Sequence, residues 1–252
     1  MILEKIKLSE KYCDVKNGVL TIYCPDSIKY LDSPKKHTIL VCPGGAYGMC
    51  SQREGEVVAL KLIGFGFNVA VLNYSTFLGC YPYPMNEVEA SLDYLEKNYE
   101  RFNIKDISLM GFSAGGHLAS YCAYTTKHKI ASVILGYPVI TMNEYTHSGT
   151  RKNLMHNCSE NMEKELSVEN LVTADSPRTF IYTTVNDDAV PFENTLFLVQ
   201  ALRKNKVSFE LHAFEKGPHG ISLANDLIGT DENYINTDIQ KWLDLAVSFI
   251  KR

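Results

Sequence analysis

The sequence lacks the features that mark several large classes of protein. Its 25 lysines and arginines are set against 29 aspartates and glutamates, so there is no basic surplus of the kind that binds nucleic acid. No apolar run approaches the roughly 18 to 20 residues that a membrane span needs. The first residues contain no apolar core of a signal peptide. We therefore expect a cytoplasmic protein that binds neither nucleic acid nor a membrane.

Cysteine patterns typical of metal or redox sites are also missing. The seven cysteines are an odd number, they are scattered, and no two are spaced as Cys-x-x-Cys. Reduced thiols fit this pattern best, and the spacing offers no metal site. The sequence predicts no cofactor, and it leaves the oligomeric state open, with a homodimer as one candidate.

What the sequence does contain is a regular alternation of apolar strands and amphipathic helices over its 252 residues. Such an alternation predicts a mostly parallel central sheet covered by helices on both faces, a three-layer α/β/α sandwich. We expect one domain spanning residues 1–252. The strand-like segments are residues 19–23, 38–42, 68–74, 107–110, 131–135, 179–185 and 209–214.

One long segment interrupts this alternation. Residues 141–177 are polar and irregular, and they contain no clear strand. A segment of this length without strand or helix signals is uncommon inside a globular domain, and it is usually functional or carries short helices of its own. We expect a small cap or substrate loop to be inserted here, late in the sheet.

The strongest chemical signal is Gly-Phe-Ser-Ala-Gly at residues 111–115. It follows an apolar strand and opens a helix, which is the setting of a sharp turn that presents a nucleophilic serine outside a sheet. A hydroxyl becomes a good nucleophile only when a neighbouring base takes its proton. We therefore predict that Ser113 is the nucleophile and expect a base and an orienting acid further along the chain.

An oxyanion hole is predicted from two places in the chain. One donor should be the backbone N–H of Ala114, directly after the nucleophile. The other should come from the glycine-rich loop after the 38–42 strand, where Gly45 is favoured and Gly44 and Ala46 are alternatives. Tyr47 in the same loop is a candidate for lining the substrate pocket, with core packing as the alternative.

The acid and the base should follow late strands. In many enzymes with this serine turn the acid lies four residues before a proline, and this spacing selects Asp187 rather than the adjacent Asp188. Asp175 precedes its strand and is a weak candidate. Of the seven histidines, His219 alone lies in a tight loop, Gly-Pro-His-Gly, after the last strand. The order Ser113, Asp187, His219 is that of the α/β-hydrolases.

Four segments together resemble a known family of bacterial carboxylesterases, often described as acetylxylan esterase-like or as lipase/esterase. They are Pro-Gly-Gly-Ala-Tyr at 43–47, Arg-Glu-Gly-Glu at 53–56, Gly-Phe-Ser-Ala-Gly-Gly-His-Leu-Ala at 111–119 and Gly-Pro-His-Gly at 217–220. The resemblance runs from about residue 15 to the C-terminus. It implies the α/β-hydrolase fold and hydrolysis of short acyl esters, often acetyl groups on sugars.

Two other functions stay open on the sequence alone. The same three residues could cleave small or formyl amides, or peptides, although 252 residues leave no room for an N-terminal propeller, so we expect no oligopeptidase of that architecture. Some proteins of this fold bind ligands without catalysis, but these usually lack one of the three residues. The expected reaction is therefore acyl transfer from a small-molecule ester, without cofactor or metal.

Overall fold

An eight-stranded sheet forms the centre of the protein. The computed structural model describes residues 1–26, 34–159, 161–229 and 231–252. The strands are β1 Ile2–Lys7, β2 Val19–Cys24, β3 Lys36–Cys42, β4 Asn68–Asn73, β5 Ile104–Phe112, β6 Ile130–Gly136, β7 Thr179–Thr184 and β8 Phe209–Phe214. In space they lie in the order β1-β2-β4-β3-β5-β6-β7-β8, with β1 and β2 antiparallel to their neighbours and the other six parallel.

Helices cover both faces of this sheet because the side chains of each buried strand point alternately to its two sides. The helices are α1 Glu56–Gly64, α2 Tyr83–Lys97, α3 Ala114–Thr125, α4 Ser148–Met155, α5 Met162–Leu166, α6 Glu193–Lys204 and α7 Trp242–Lys251. Leu40 and Leu109 face a core formed with α2, α3 and α6, whereas Val41 and Met110 face a second core formed with α1 and α7. The predicted three-layer α/β/α sandwich is thus confirmed.

Two regions differ from a plain succession of strands and helices. The expected insertion at 141–177 contains the short helices α4 and α5, and its residue 160 lies outside the described residues. The strand β1 was not predicted, because its apolar side chains are interleaved with charged ones and only Ile6 of its six residues is buried. Among the described residues, no helix combines the length and apolar character that crossing a membrane requires.

The topology brings several loops to one edge of the sheet. The strands β3, β5, β6, β7 and β8 are consecutive neighbours and parallel, so their carboxyl ends lie side by side. In folds of this type, ligands bind outside the carboxyl ends of the strands. The glycine-rich loop, Ser113, Asp187 and His219 all follow such ends.

Candidate active site

Ser113 occupies a strained turn between β5 and α3. Its backbone has φ 54° and ψ −123°, a conformation that costs a residue with a side chain some free energy. The turn is possible because its flanking glycines carry no side chain: a Cβ at Gly111 would collide with the carbonyl oxygen of Gly115, and one at Gly115 with that of Cys42. The Ser113 N–H donates to the Gly136 carbonyl at 3.0 Å, which fixes the turn against β6.

An imidazole joins the serine to a carboxylate. His219 Nε2 lies 2.8 Å from Ser113 Oγ, and its Nδ1 lies 2.7 Å from Asp187 Oδ2. A carboxylate oxygen can only accept here, so Nδ1–H donates to Asp187 and Nε2 accepts from the serine hydroxyl in the neutral ring. The structure therefore brings together the three residues that the sequence singled out.

Asp187 is held in place by the backbone that follows it. Its Oδ1 accepts the N–H groups of Ala189 at 3.0 Å and Val190 at 2.9 Å, which leaves Oδ2 for His219. The Asp187 side chain is fully buried, whereas Asp188 is exposed. Asp175, which precedes β7 in the chain, is exposed as well. The geometry thus agrees with the preference for Asp187 over its two rivals.

The glycine-rich loop after β3 offers backbone donors close to Ser113. The Gly44 N–H donates to the buried Glu54 carboxylate at 2.8 Å, so it is not available to a substrate. The prediction of Gly44 as an alternative oxyanion donor is therefore corrected. Ala46 follows with a left-handed backbone, φ 55°. Within the part of the chain that the structure describes, the N–H groups of Gly45, Ala46 and Ala114 have no hydrogen-bond acceptor.

Tyr47 is a second correction, because it does not line a pocket. Its side chain is fully buried, and its hydroxyl donates to His117 Nδ1 at 2.8 Å. The other nitrogen of that ring, Nε2–H, donates to the Leu166 carbonyl at 2.7 Å. Burial lowers the pKa of His117 to about 4, with the bond to Leu166 opposing the shift. The alternative interpretation, core packing, is the one the structure supports for Tyr47.

Sequence reasoning missed three residues near this site. The amide Nδ2 of Asn153, on α4, donates to the Ala46 carbonyl at 2.9 Å and so links the inserted segment to the glycine-rich loop. His147 caps the N-terminus of α4: its Nδ1 accepts the Thr150 N–H at 3.2 Å, which leaves Nε2 as its donor. Burial and the nearby His219 lower the pKa of His147, while Asp187 opposes that shift.

The third missed residue is Glu54, which lies in the Arg-Glu-Gly-Glu segment that contributed to the family resemblance. Its side chain is buried beside the glycine-rich loop. No spacing rule distinguishes a buried glutamate from an exposed one, so only the three-dimensional arrangement identifies it. As for metals, no group of three or more His, Cys, Asp or Glu in the described ranges is arranged to hold an ion.

Comparison with known families fits this geometry. A model of the prolyl oligopeptidase family matches residues 83–244, more than half of the chain, and the match includes Ser113, Asp187 and His219. The chain belongs to the prolyl oligopeptidase family. Members of one family share a fold and the positions of its site more reliably than they share substrates. Membership of the prolyl oligopeptidase family therefore does not by itself identify the substrate of this chain.

Among curated proteins, this family member is similar to two that are much longer than itself. It is 33% identical to endo-1,4-beta-xylanase B of Butyrivibrio fibrisolvens, covering 81% of this chain and 36% of the relative. It is 28% identical to an acetylxylan esterase of Xylanibacter ruminicola, covering 84% of this chain and 46% of the relative. The chain thus spans less than half the length of these curated relatives.

Solved structures similar to this prolyl oligopeptidase family member match it from end to end. The carboxylesterase Cest-2923 of Lactobacillus plantarum has a TM-score of 0.89 at 26% identity, covering 100% of this chain and 97% of its own. An acetyl ester-xyloside bifunctional hydrolase of Caldicellulosiruptor lactoaceticus has a TM-score of 0.87 at 30% identity, covering 98% and 95%. The α/β-hydrolase fold and the expected resemblance to bacterial esterases are confirmed.

Proposed function

We propose that the protein is a serine carboxylesterase that removes short acyl groups, acetyl above all, from esters whose alcohol part is a carbohydrate. The observation that carries this proposal is the bridge from Ser113 through His219 to the buried Asp187, with both hydrogen bonds below 3 Å. The acetyl and carbohydrate parts are supported by the names of similar proteins, an acetylxylan esterase and an acetyl ester-xyloside hydrolase.

The first half of the reaction transfers the acyl group to the enzyme. Ser113 Oγ attacks the ester carbonyl carbon while its proton passes to His219 Nε2. The carbonyl π electrons move to oxygen, which becomes the oxyanion of a tetrahedral intermediate. When this intermediate collapses, the C–O bond to the alcohol breaks and His219 gives its proton to the leaving oxygen. The product is an alcohol and an acyl-Ser113 ester.

The second half repeats these steps with water as the nucleophile. His219 takes a proton from water, the hydroxide adds to the acyl carbon, and collapse returns the proton to Ser113 Oγ and releases the carboxylic acid. Asp187 accepts from Nδ1 throughout, so it keeps Nε2 available for proton transfer and stabilises the charged ring. No step requires a cofactor.

The oxyanion donors in this proposal are the backbone N–H of Ala114 and one N–H of the glycine-rich loop. Gly45 and Ala46 carry the free N–H groups, and Gly45, the residue favoured by the sequence, stays our first choice for the second donor. Donors that are already aimed at the developing charge stabilise the transition state without reorganising. The loss of one such donor typically slows acyl transfer by about 100- to 1000-fold.

A kinetic series tests the esterase proposal directly. p-Nitrophenyl esters from acetate to octanoate should be hydrolysed with the highest kcat/KM at acetate, and acetylated xylo-oligosaccharides should release acetate. Ser113→Ala should remain folded yet lose at least about 1000-fold in kcat, while the exposed Ser208→Ala serves as the matched control. A folded wild-type protein that hydrolyses none of these esters would overturn the proposal.

Amide hydrolysis is the second candidate, because the matching family is named for peptidases. An amine is a poorer leaving group than an alkoxide, so the same residues need a better placed proton donor to cleave an amide. A panel of matched acyl esters, formyl amides and prolyl peptides at equal concentration separates the two. Faster turnover of the amides would replace the esterase proposal with this one.

We also propose that residues 1–252 act as one domain in the cytoplasm. The single-domain proposal is supported by the eight strands, which join in one sheet. The cytoplasmic proposal is supported by the seven cysteines, all of which are unpaired thiols, including the buried Cys42 and Cys122. Fractionation of the source cells with an antibody to the protein would test the location.

A further inference from the structure

A buried carboxylate lies directly behind the glycine-rich loop. Glu54 ends the short 3-10 turn Gln52–Glu54 and is 3% exposed. Its Oε2 accepts the Gly44 N–H at 2.8 Å, and its Oε1 accepts the Tyr137 hydroxyl at 2.6 Å. Both oxygens act as acceptors, which is the pattern of an ionised carboxylate.

Tyr137 carries this contact across to the loop that holds the catalytic base. Its hydroxyl oxygen also accepts the N–H of Ser222 at 2.9 Å, three residues after His219. Its ring packs edge-on against the His219 imidazole, with 5.0 Å between ring centroids. The Ser222 hydroxyl in turn donates to the carbonyl of Arg53, next to Glu54 in the chain. These hydrogen bonds connect the glycine-rich loop to the loop that holds His219.

The segments that these hydrogen bonds connect contain several residues with a strained backbone. Ala46 and Tyr47 in the glycine-rich loop have φ 55° and 56°, Tyr137 has 36°, and Ser222 and Ala224 after His219 have 47° and 54°. A residue with a side chain in the left-handed region costs free energy and persists only where its surroundings fix it. The hydrogen bonds of Glu54 and Tyr137 supply part of that fixation.

We propose that Glu54 is a positioning residue for the reaction. Its carboxylate links the glycine-rich loop to the loop that holds His219, and its charge favours the imidazolium formed when Ser113 attacks. This inference rests on the proposed function, since it assigns a role within the same acyl transfer. In this proposal the Gly44 N–H anchors the glycine-rich loop to Glu54, and the next two residues, Gly45 and Ala46, carry the free N–H donors.

The charged and titratable surroundings support the electrostatic half of the proposal. Burial raises the pKa of Glu54, while the Tyr137 and Gly44 hydrogen bonds and the positive forms of His219 and Arg53 oppose that rise. A negative charge on this side of the site attracts the positive ring that forms when Ser113 attacks. Among the described residues, other titratable groups that interact with this pair are Asp187 and His147 on the imidazole side and Cys50, Tyr74 and Tyr182 on the carboxylate side.

The test compares Glu54→Gln with Glu56→Gln, which changes an exposed glutamate two residues away. A fluorophosphonate that labels Ser113 is the probe, and its labelling rate is measured against pH alongside kcat and KM for p-nitrophenyl acetate. We expect Glu54→Gln to slow labelling and kcat by about 10- to 100-fold, a fraction of a full oxyanion donor, with KM changed less than about threefold. Glu56→Gln should match wild type.

The pH profile separates positioning from a merely structural role. Loss of the negative charge should move the acidic limb of the labelling profile to lower pH by on the order of half a unit. Tyr137→Phe breaks the tether but keeps the charge, so it should slow labelling and leave that limb in place. A slowed Glu54→Gln protein with an unmoved limb would overturn the charge role.

Two further outcomes keep the test decisive. A folded Glu54→Gln protein that is labelled at the wild-type rate overturns the proposal; should that variant not fold, an unchanged rate in Tyr137→Phe overturns it instead. Labelling needs no ester substrate. Wild-type protein that is labelled at Ser113 but hydrolyses no ester would therefore refute the proposed function and still leave the Glu54 comparison valid.

Discussion

Two regions next to the Ser113 turn each hold an imidazole whose ring nitrogens are both hydrogen-bonded. In the reaction region, His219 contacts a carboxylate and a hydroxyl and its side chain is 21% exposed. In the support region, His117 contacts the Tyr47 hydroxyl and a backbone carbonyl and is fully buried. The two rings lie in the same small part of the fold, yet only one has a neighbour that stabilises its charged form.

The comparison shows that the partner atoms, rather than proximity to the serine, determine what each ring can do. A carboxylate favours the imidazolium, so His219 can take and return a proton during a reaction. A hydroxyl and a carbonyl give no such compensation for burial, and the pKa of His117 falls to about 4. His117 therefore acts as a fixed neutral connector between Tyr47 and Leu166.

The largest expected effect comes from making the reaction region resemble the support region. Asp187→Asn replaces the carboxylate beside His219 with an amide, which can hold the ring in the wrong tautomer and does not stabilise its charge. We expect kcat to fall by about 10⁴-fold while the fold is retained. Asp188→Asn, at the exposed neighbour, is the control and should stay near wild type. Comparable losses in both variants would contradict the assignment of Asp187.

An intermediate effect is expected from the pH dependence of the support region. The pKa of His117 in the folded protein, about 4, lies below its ordinary value of 6.5. Its neutral ring therefore contributes stability above about pH 6.5, and this contribution is lost as the pH falls towards 4. The difference of about 2.5 pKa units corresponds to up to about 3 kcal/mol in the free energy of unfolding.

Urea unfolding at a series of pH values measures this effect by difference. His117→Gln keeps a donor for the Leu166 carbonyl but cannot titrate, so its stability should fall less steeply between pH 6.5 and 4 than that of wild type. His156→Gln, a change at an exposed histidine, is the control for loss of a histidine as such. Parallel curves for wild type and His117→Gln would contradict a buried neutral ring.

The smallest expected effect separates support from substrate binding. Tyr47→Phe removes the hydroxyl that donates to His117 and leaves that ring nitrogen without its partner. We expect the free energy of unfolding to drop by about 1 to 2 kcal/mol, with KM for p-nitrophenyl acetate unchanged, because the buried Tyr47 side chain has no exposed surface with which to contact a substrate. A clear rise in KM at unaltered stability would restore Tyr47 as a substrate-lining residue.

The reaction region could be predicted from the sequence because its residues lie in local patterns with a fixed order. Two glycines flank Ser113, and the turn is possible only because they carry no side chain. His219 is indicated by a tight loop after the last strand. The parallel order of β5, β7 and β8 then places their ends together. Local pattern and topology are sufficient for these residues.

The contacts of the support region and those of Glu54 could not be predicted in the same way, because they join segments that are far apart in the chain. Tyr47 and His117 are 70 residues apart, and Glu54 and Tyr137 are 83 apart. A tyrosine at the rim of a site and one behind it have the same sequence signature, and burial of a glutamate depends on partners that no spacing reveals. The same limit applies to β1, whose pairing with β2 follows from packing rather than from a strong strand pattern.

The contacts of Asn153 have a consequence for any redesign of the inserted segment. Its amide donates to the Ala46 carbonyl, while its own backbone carbonyl accepts the N–H groups of Gly79 and Cys80. The α4 helix is therefore hydrogen-bonded both to the glycine-rich loop and to residues 79–80. Replacing this helix with that of a homologue would also alter the support of the glycine-rich loop, unless the replacement retains an asparagine at that position.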